Sequence, residues 1–237
     1  MRNAIACRRD RSVEPETDEK KGTDMLVYCV ADIHGKDRLL ARVVEQAERL
    51  KPDALIVAGD LARMRKAAYV MERLRELSLP VLFVKGNHDP ADLDEQAHKP
   101  PYAYSLHMRS VQLNGVRFTG VGGAVSIPFR GRVALREKRL LGQVKSLVQP
   151  GDVFVAHLPP HRSLDRVMGR FYSGSRGLRD VVISTKPSVF VCGHIHEDSG
   201  ITRLGATLVI NCSVFRRGSG AALELREGAE PKAQLLV

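Results

Sequence analysis

Met25-Leu-Val-Tyr-Cys-Val-Ala-Asp-Ile-His34 decides the fold: an apolar run that stops abruptly at a carboxylate and an imidazole two positions apart. The same construction recurs along the chain. Ala54-Leu-Ile-Val-Ala58 leads into Gly59-Asp60, Val81-Leu-Phe-Val84 into Gly86-Asn87-His88-Asp89, Val153-Phe-Val-Ala156 into His157, and Val189-Phe-Val-Cys192 into Gly193-His194-Ile195-His196. Continuous apolar runs bounded by Gly, Pro and Asp mark strands covered on both faces. Polar residues at the carboxyl ends of such strands gather along one sheet edge, where open α/β folds place their ligands.

Helical spacing fills the gaps. Leu39, Leu40, Val43, Val44, Ala47 and Leu50 recur at that spacing within Lys36 to Leu50, as do Ala67, Val70, Met71 and Leu74 within Arg63 to Leu77, so the chain opens as a doubly wound α/β structure. A Pro-rich, charged loop from Pro90 to Pro101 follows, then short strands near Ala103 to Leu106, Val111 to Leu113 and Val116 to Val121, the last two joined by an Asn114-Gly115 hairpin turn. A helix is expected near Leu178 to Thr185, and closing strands at Gly200 to Leu204, Thr207 to Asn211 and Ala221 to Arg226. The polar, aperiodic residues 1–24 read as a disordered extension or an over-called start, leaving residues 25–237 as one domain.

The five polar motifs, in this order, resemble those of the calcineurin-like metallophosphoesterase family: Asp-x-His, Gly-Asp, Gly-Asn-His-Asp or Glu, a lone His, and Gly-His-x-His. The resemblance runs from Met25 to the end of the chain. The stretch His157-Leu-Pro-Pro and the short length are most similar to the small prokaryotic Icc-related members. One departure is Asn211-Cys212-Ser213, where that group has Asn-Pro-Gly or Asn-Pro-Ser. The resemblance implies an α/β fold of two mixed β-sheets packed as a sandwich with flanking helices, the metallo-dependent phosphatase fold. It also implies two divalent ions, one on Asp32, His34, Asp60 and His196 and the other on Asp60, Asn87, His157 and His194, with Asp60 as the bridge.

Residues two apart on an extended chain share a side, so Asp32 and His34 are expected to converge, as are His194 and His196 with a small bend. Four imidazoles, two carboxylates and one amide oxygen form a nitrogen and oxygen set without thiolate. Such a set suits transition metals, with Mn²⁺ preferred and Fe, Zn²⁺, Ni²⁺ or Co²⁺ also compatible, and disfavours Mg²⁺ or Ca²⁺. Two divalent ions, two carboxylates and a hydroxide leave a residual charge of roughly +1, which attracts an anion such as a phosphate ester. His88, next to Asn87, is the candidate general acid, since imidazole is the side chain that ordinarily exchanges a proton near neutrality. The resemblance gives Asp89 the task of orienting it. No substrate-binding residue is assigned, although His161, close to His157, is a candidate to line the pocket, whereas His98 and His107 read as solvated or packed.

The 37 Lys and Arg against 27 Asp and Glu give a formal charge of +10, concentrated at Arg130 to Lys145 and Arg162 to Arg179. These stretches are either solvated faces or steering charges for an anion. Phe129 and Phe171-Tyr172 are the aromatics placed to stack on bases. A small phosphate ester is the favoured substrate, with a nuclease or a non-catalytic protein-binding scaffold on the same fold as alternatives. Gly59-Asp60-Leu61-Ala62-Arg63 lacks the Asp-Arg-Gly of phosphoprotein phosphatases, which argues against a protein substrate. Cys7, Cys29, Cys192 and Cys212 form no Cys-x-x-Cys pair. With no apolar h-region and no run of roughly 18 apolar residues, a cytoplasmic protein with reduced thiols and no membrane partner is expected. Its oligomeric state is left open.

Overall fold

The computed structural model describes residues 24–62, 65–123, 132–216 and 218–237. All but Asp24 of the expected extension, with Cys7, lies outside them, as do Arg63, Phe129, Arg130 and the side chains of Arg132, Arg136 and Lys138.

Each apolar run forms a strand. In the first sheet β1 (Met25–Val30), β2 (Ala54–Ala58), β3 (Val81–Val84) and β4 (Ala103–Ser105) are parallel neighbours. Antiparallel β13 (Ala221–Leu225) and β14 (Lys232–Leu235) extend it on the β1 side, giving the order β14-β13-β1-β2-β3-β4. The second sheet has the order β11-β12-β10-β7-β6-β5. Its parallel centre is β12 (Thr207–Asn211), β10 (Val189–Cys192), β7 (Val153–Ala156) and β6 (Val116–Val121), and its antiparallel edges are β11 (Gly200–Leu204) and β5 (Arg109–Leu113). At the β5 to β6 hairpin, Asn114 (φ 47°) and Gly115 (φ 78°) both take the left-handed conformation that a type I′ turn requires.

Alternation along the strands divides the core into three layers. Val27 and Cys29 of β1 face the second sheet, meeting Phe118, Val153, Val155, Val189, Val191 and Ile210. Tyr28 and Val30 face outward against Leu39, Leu40 and Val43 of α1 (Asp37–Leu50) and Val70 and Leu74 of α2 (Arg65–Arg75). On the outer face of the second sheet, Phe154 and Phe190 meet edge to face at 5.1 Å under Val144 and Val148, at the end of α4 (Arg132–Leu147), and Leu178, Val181 and Val182 of α5 (Arg176–Thr185). The result is the expected pair of mixed sheets packed face to face with helices outside.

Several elements were not anticipated. A short helix α3 (Leu93–Ala97) occupies the loop predicted from Pro90 to Pro101, because Leu93 and Ala97 bury against the α1 and α2 layer. Helix α5 starts two residues early, where the Ser175 hydroxyl accepts from the Leu178 N–H at 3.1 Å as an N-cap. The two-residue strands β8 (Arg166–Val167) and β9 (Phe171–Tyr172) form a hairpin, and β14 completes an edge; neither carries enough apolar residues to be read from periodicity.

Phe118 is wholly buried between the sheets. Phe118→Ala is expected to cost about 3–5 kcal/mol of stability, seen as a lowered urea midpoint with an unchanged slope; a loss under about 1 kcal/mol would mean that the two sheets do not share this core.

Candidate metal centre

Register brings the strand ends level. Val30 pairs with Val57, Ala58 with Val84, and Val191 with Val155, so the residues that follow β1, β2, β3, β7 and β10 emerge at one edge of the sandwich. The chain then turns left-handed. Asp32 (φ 64°), His34 (φ 52°), Asp60 (φ 53°) and His194 (φ 68°) all adopt positive φ, a conformation that Asp and His tolerate better than most residues. The expected convergence of Asp32 with His34 is therefore achieved by a turn and not by an extended segment. Backbone bonds from Asp32 N to Gly59 O (3.1 Å), His34 N to Asp60 O (2.9 Å) and Gly35 N to Leu61 O (2.7 Å) fasten the loop after β1 to the loop after β2.

All seven residues predicted as ligands meet at this edge, in two groups. In the first, the Nε2 atoms of His34 and His196 lie 3.3 Å apart and lie 3.9 and 3.4 Å from Asp32 Oδ1. In the second, His157 Nε2, His194 Nδ1 and Asn87 Oδ1 form a triangle with sides of 3.0, 3.0 and 3.2 Å. His194 and His196 thus separate into different groups. Asp60 Oδ2 touches both, lying 3.7 Å from His34 Nε2 and 3.4 Å from His157 Nε2.

The donor chemistry fits a cation. His157 Nδ1 donates to the Ala58 carbonyl at 2.8 Å, which leaves the Nε2 lone pair for the centre. Asn87 turns its Nδ2 toward His88, so its carbonyl oxygen faces the two imidazoles. Three lone-pair atoms about 3 Å apart have the spacing of adjacent ligands held roughly 2.1 Å from one ion. Two glycines permit this crowding: a Cβ at Gly59 would lie 2.5 Å from His157 Nδ1, and one at Gly86 would lie 2.8 Å from Asp60 Cγ.

Without an ion, protons take up part of the charge. Burial pushes His157 down, but the hydrogen-bonding contact with Asp60 and the fields of Asp32 and Asp60 outweigh it and raise its pKa to about 9. Burial opposes charge on Asp60 also, yet His157 and His88 hold its carboxyl far below the ordinary range. His194, buried and beside His157, is lowered to about 4.

His88 sits at the rim with its side chain about a third exposed (34%), but its partner differs from the expected one. Its Nδ1 lies 2.7 Å from Asp60 Oδ2 and its backbone N–H donates to Asp60 Oδ1 at 2.9 Å. Asp89 instead accepts from the backbone N–H groups of Ala62 (3.0 Å) and Gly86 (2.8 Å), stapling the loop after β2 to the loop after β3. It therefore orients backbone and not the imidazole, and burial raises its pKa to about 6 despite those two bonds. His161 faces Asp165 and Tyr172. The cleft of about 250 Å³ that opens on His194 and His196 is lined by Val167, Ile195, Glu197, Phe215 and Arg216. A larger depression of about 400 Å³ lies at the opposite strand ends, around Asp152 and Ser188, away from every donor. His98 and His107 accept from the Ser105 and Gly122 N–H groups, as packed residues do.

Two contributors escaped the sequence reading. Asn211, wholly buried, donates from Nδ2 to Ile195 O (2.9 Å) and Asp198 O (3.2 Å), holding the carbonyl between His194 and His196. Its position at the end of the apolar run from Thr207 was a usable signal. Phe215 packs on His196 and follows no motif.

The family model for calcineurin-like phosphoesterases matches residues 25–198. The chain belongs to that family. Members of it are metal-dependent, and this chain carries Asp and His groups able to hold metal, Asp32 with His34 and His196 among them. It is 27% identical to the uncharacterised protein MJ1162 of Methanocaldococcus jannaschii, over 80% of this chain and 88% of that one. It is 28% identical to UPF0046 protein K07C11.7 of Caenorhabditis elegans, over 86% and 74% respectively. Its fold is similar to the crystal structure of TT1561 from Thermus thermophilus, with a TM-score of 0.61 and 19% identity over 89% of this chain and 98% of that one. None of the described helices is long and apolar enough to cross a membrane.

Two outcomes follow from the geometry. Gly86→Ala drives a methyl group against Asp60 and is expected to weaken Mn²⁺ binding at least about tenfold, the scale of an outer-shell disturbance, while circular dichroism shows the fold retained; unaltered affinity would show that Asp60 is free to move. In the metal-free protein His157 has a raised pKa, so its pairing with Asp60 contributes stability that is complete below 6.5 and fades as pH rises through about 9. An entering ion must displace that proton. Calorimetry of Mn²⁺ binding at about pH 7.5 in two buffers of different ionisation enthalpy should therefore register proton release, which His157→Gln diminishes; binding with no proton release in the unsubstituted protein would contradict the raised pKa.

Proposed function

We propose that this protein is a dinuclear metal-dependent phosphoesterase that hydrolyses a small phosphate diester or monoester by direct attack of water. The observation that carries this reading is the position of Asp60, whose single carboxylate oxygen lies within 3.7 Å of an imidazole from each donor group. Asp32, His34 and His196 would hold one ion, Asn87, His157 and His194 the other, and Asp60 both. Mn²⁺ suits this thiolate-free set best, with Fe, Zn²⁺, Ni²⁺ or Co²⁺ as compatible occupants. When bound, the ions supply Lewis acidity toward phosphoryl oxygens and lower the pKa of water toward about 7.

The remaining tasks fall to the chain. The Ala58 carbonyl fixes the His157 tautomer, Asn211 holds the His194 to His196 turn, and Asp89 keeps the loops after β2 and β3 together. His88, anchored through its backbone N–H to Asp60 and open to solvent on one side, delivers the proton that the leaving oxygen requires. Buried free thiols at Cys29, Cys192 and Cys212 suit a reducing compartment and support the cytoplasm as the site of this work.

One observation favours a second substrate class, nucleic acid. Phe171 and Tyr172 are exposed, the Arg162 guanidinium lies 5.4 Å from the Tyr172 ring centre, and the hairpin carrying them is tied to Glu197 and Asp198, just beyond His196, by the Met168 and Arg166 N–H groups. Filter binding of single-stranded DNA at low salt distinguishes this reading; absence of retention removes it.

The primary test is hydrolysis of bis-p-nitrophenyl phosphate and p-nitrophenyl phosphate by metal-stripped protein supplied with Mn²⁺, Ni²⁺, Zn²⁺ or Mg²⁺. Transition metals should restore turnover, Asp60→Ala should abolish it, and His88→Gln should retain metal while lowering kcat by about 10²–10⁴-fold. Folded, metal-loaded protein that turns over neither ester would point to the scaffold.

A further inference from the structure

Phe215 stands beside one donor group and not the other. The two residues before it are fixed to the end of β1, where Ser213 pairs with Ala31 and the Val214 N–H donates to Ala31 O at 3.0 Å, one residue before Asp32. The half-buried ring stacks on the His196 imidazole, with centres 4.1 Å apart and planes at 22°, and meets His34 edge-on at 5.2 Å and 81°. Lys36 Nζ lies 3.8 Å from its centre. In the second group, His157 and His194 pack against each other at 5.0 Å, with no such neighbour among the described residues.

One imidazole of the second group, His157, also has a hydrogen-bonded support that neither imidazole of the first group has among the described residues. A metal-ligating His ordinarily donates its second ring N–H to a carboxylate, carbonyl or water, which fixes the plane of the ring. His157 does so through Ala58. Among the described residues, no protein group accepts from Nδ1 of His34 or His196, whose contacts are made through Nε2. An aromatic face against an imidazole restricts the same torsion by packing, so less side-chain freedom is lost when the ring ligates.

We propose that Phe215 is a positioning residue for one of the two ions: its stacking does for His34 and His196 what a hydrogen bond does for His157, and it sets the affinity of the ion on Asp32, His34 and His196 alone. This rests on the ligand sets proposed above. A consequence is that the two ions are held by mechanically different supports, so a change at Phe215 separates them.

The test is Mn²⁺ titration of metal-stripped protein by calorimetry in two backgrounds, His157→Ala, which disables the second group, and His34→Ala, which disables the first. Phe215→Ala should weaken binding by about tenfold in the His157→Ala background and leave it unchanged in the His34→Ala background. Phe215→Tyr should restore affinity, and Phe215→Leu, which keeps apolar volume and the fold without a ring, should not. Equal weakening in both backgrounds, no weakening in the first, or full restoration by Leu would overturn the proposal. Failure of the unsubstituted protein to bind Mn²⁺ at all would instead overturn the ligand sets and this inference with them, an outcome distinct from each of the others.

Discussion

The Asp60 carboxylate is the contact on which the arrangement of the site depends. It leaves β2 in the first sheet, yet it meets His157 from the second sheet at 3.4 Å and His88 and His34 from its own at 2.7 and 3.7 Å. A fully buried imidazole and a nearly buried carboxylate can stay ionised together only if each compensates the other's desolvation. The apolar layer between the sheets makes this possible, since Val27, Cys29, Ile56, Val155 and Val191 hold the two sheet edges at the separation His157 must cross.

Backbone geometry carries much of the cost of bringing the donors together. Residues in sparsely populated φ/ψ regions each cost on the order of 1–3 kcal/mol and persist where the surroundings over-determine them, and four of the seven donor residues have positive φ. Here the surroundings are the bonds from Asp32, His34 and Gly35 to Gly59, Asp60 and Leu61, and the acceptance of the His194 N–H by Asp32 Oδ2 at 3.0 Å. Each loop is thus held by another loop that also contributes a donor. Asp89 and Asn211 act in the same way, committing their side chains to backbone so that neighbouring side chains are free for chemistry.

Support is distributed unevenly between the two groups. His157 is locked by a carbonyl at full burial, whereas His34 and His196 lie nearer solvent, with side chains 15% and 28% exposed, and lean on Phe215. The cleft lined by Phe215 and Arg216 opens on His196 of the first group and on His194 of the second.

The central strands, and the polar residues that end them, were legible because each follows from local chemistry. An apolar run such as Val189 to Cys192 has no stable place except a covered strand, and a polar residue placed directly after it has no place except the sheet edge. Features that depend on partners distant in sequence were not legible. His88 beside Asp89 suggests a pair, yet Asp89 is taken by Ala62 and Gly86 and the imidazole goes to Asp60. His161, two residues after Pro159 and a candidate to line the pocket, faces Asp165, a partner that its sequence neighbours do not indicate. The hairpin β8 to β9 is held by Glu197 and Asp198 and not by apolar content of its own. By itself the sequence determined which residue types arrive at the sheet edge, since periodicity and apolar content act within a few residues. Only the tertiary structure decided which atoms face one another there, because side-chain direction at the ends of strands is set by left-handed turns and by contacts between loops that the chain alone does not rank.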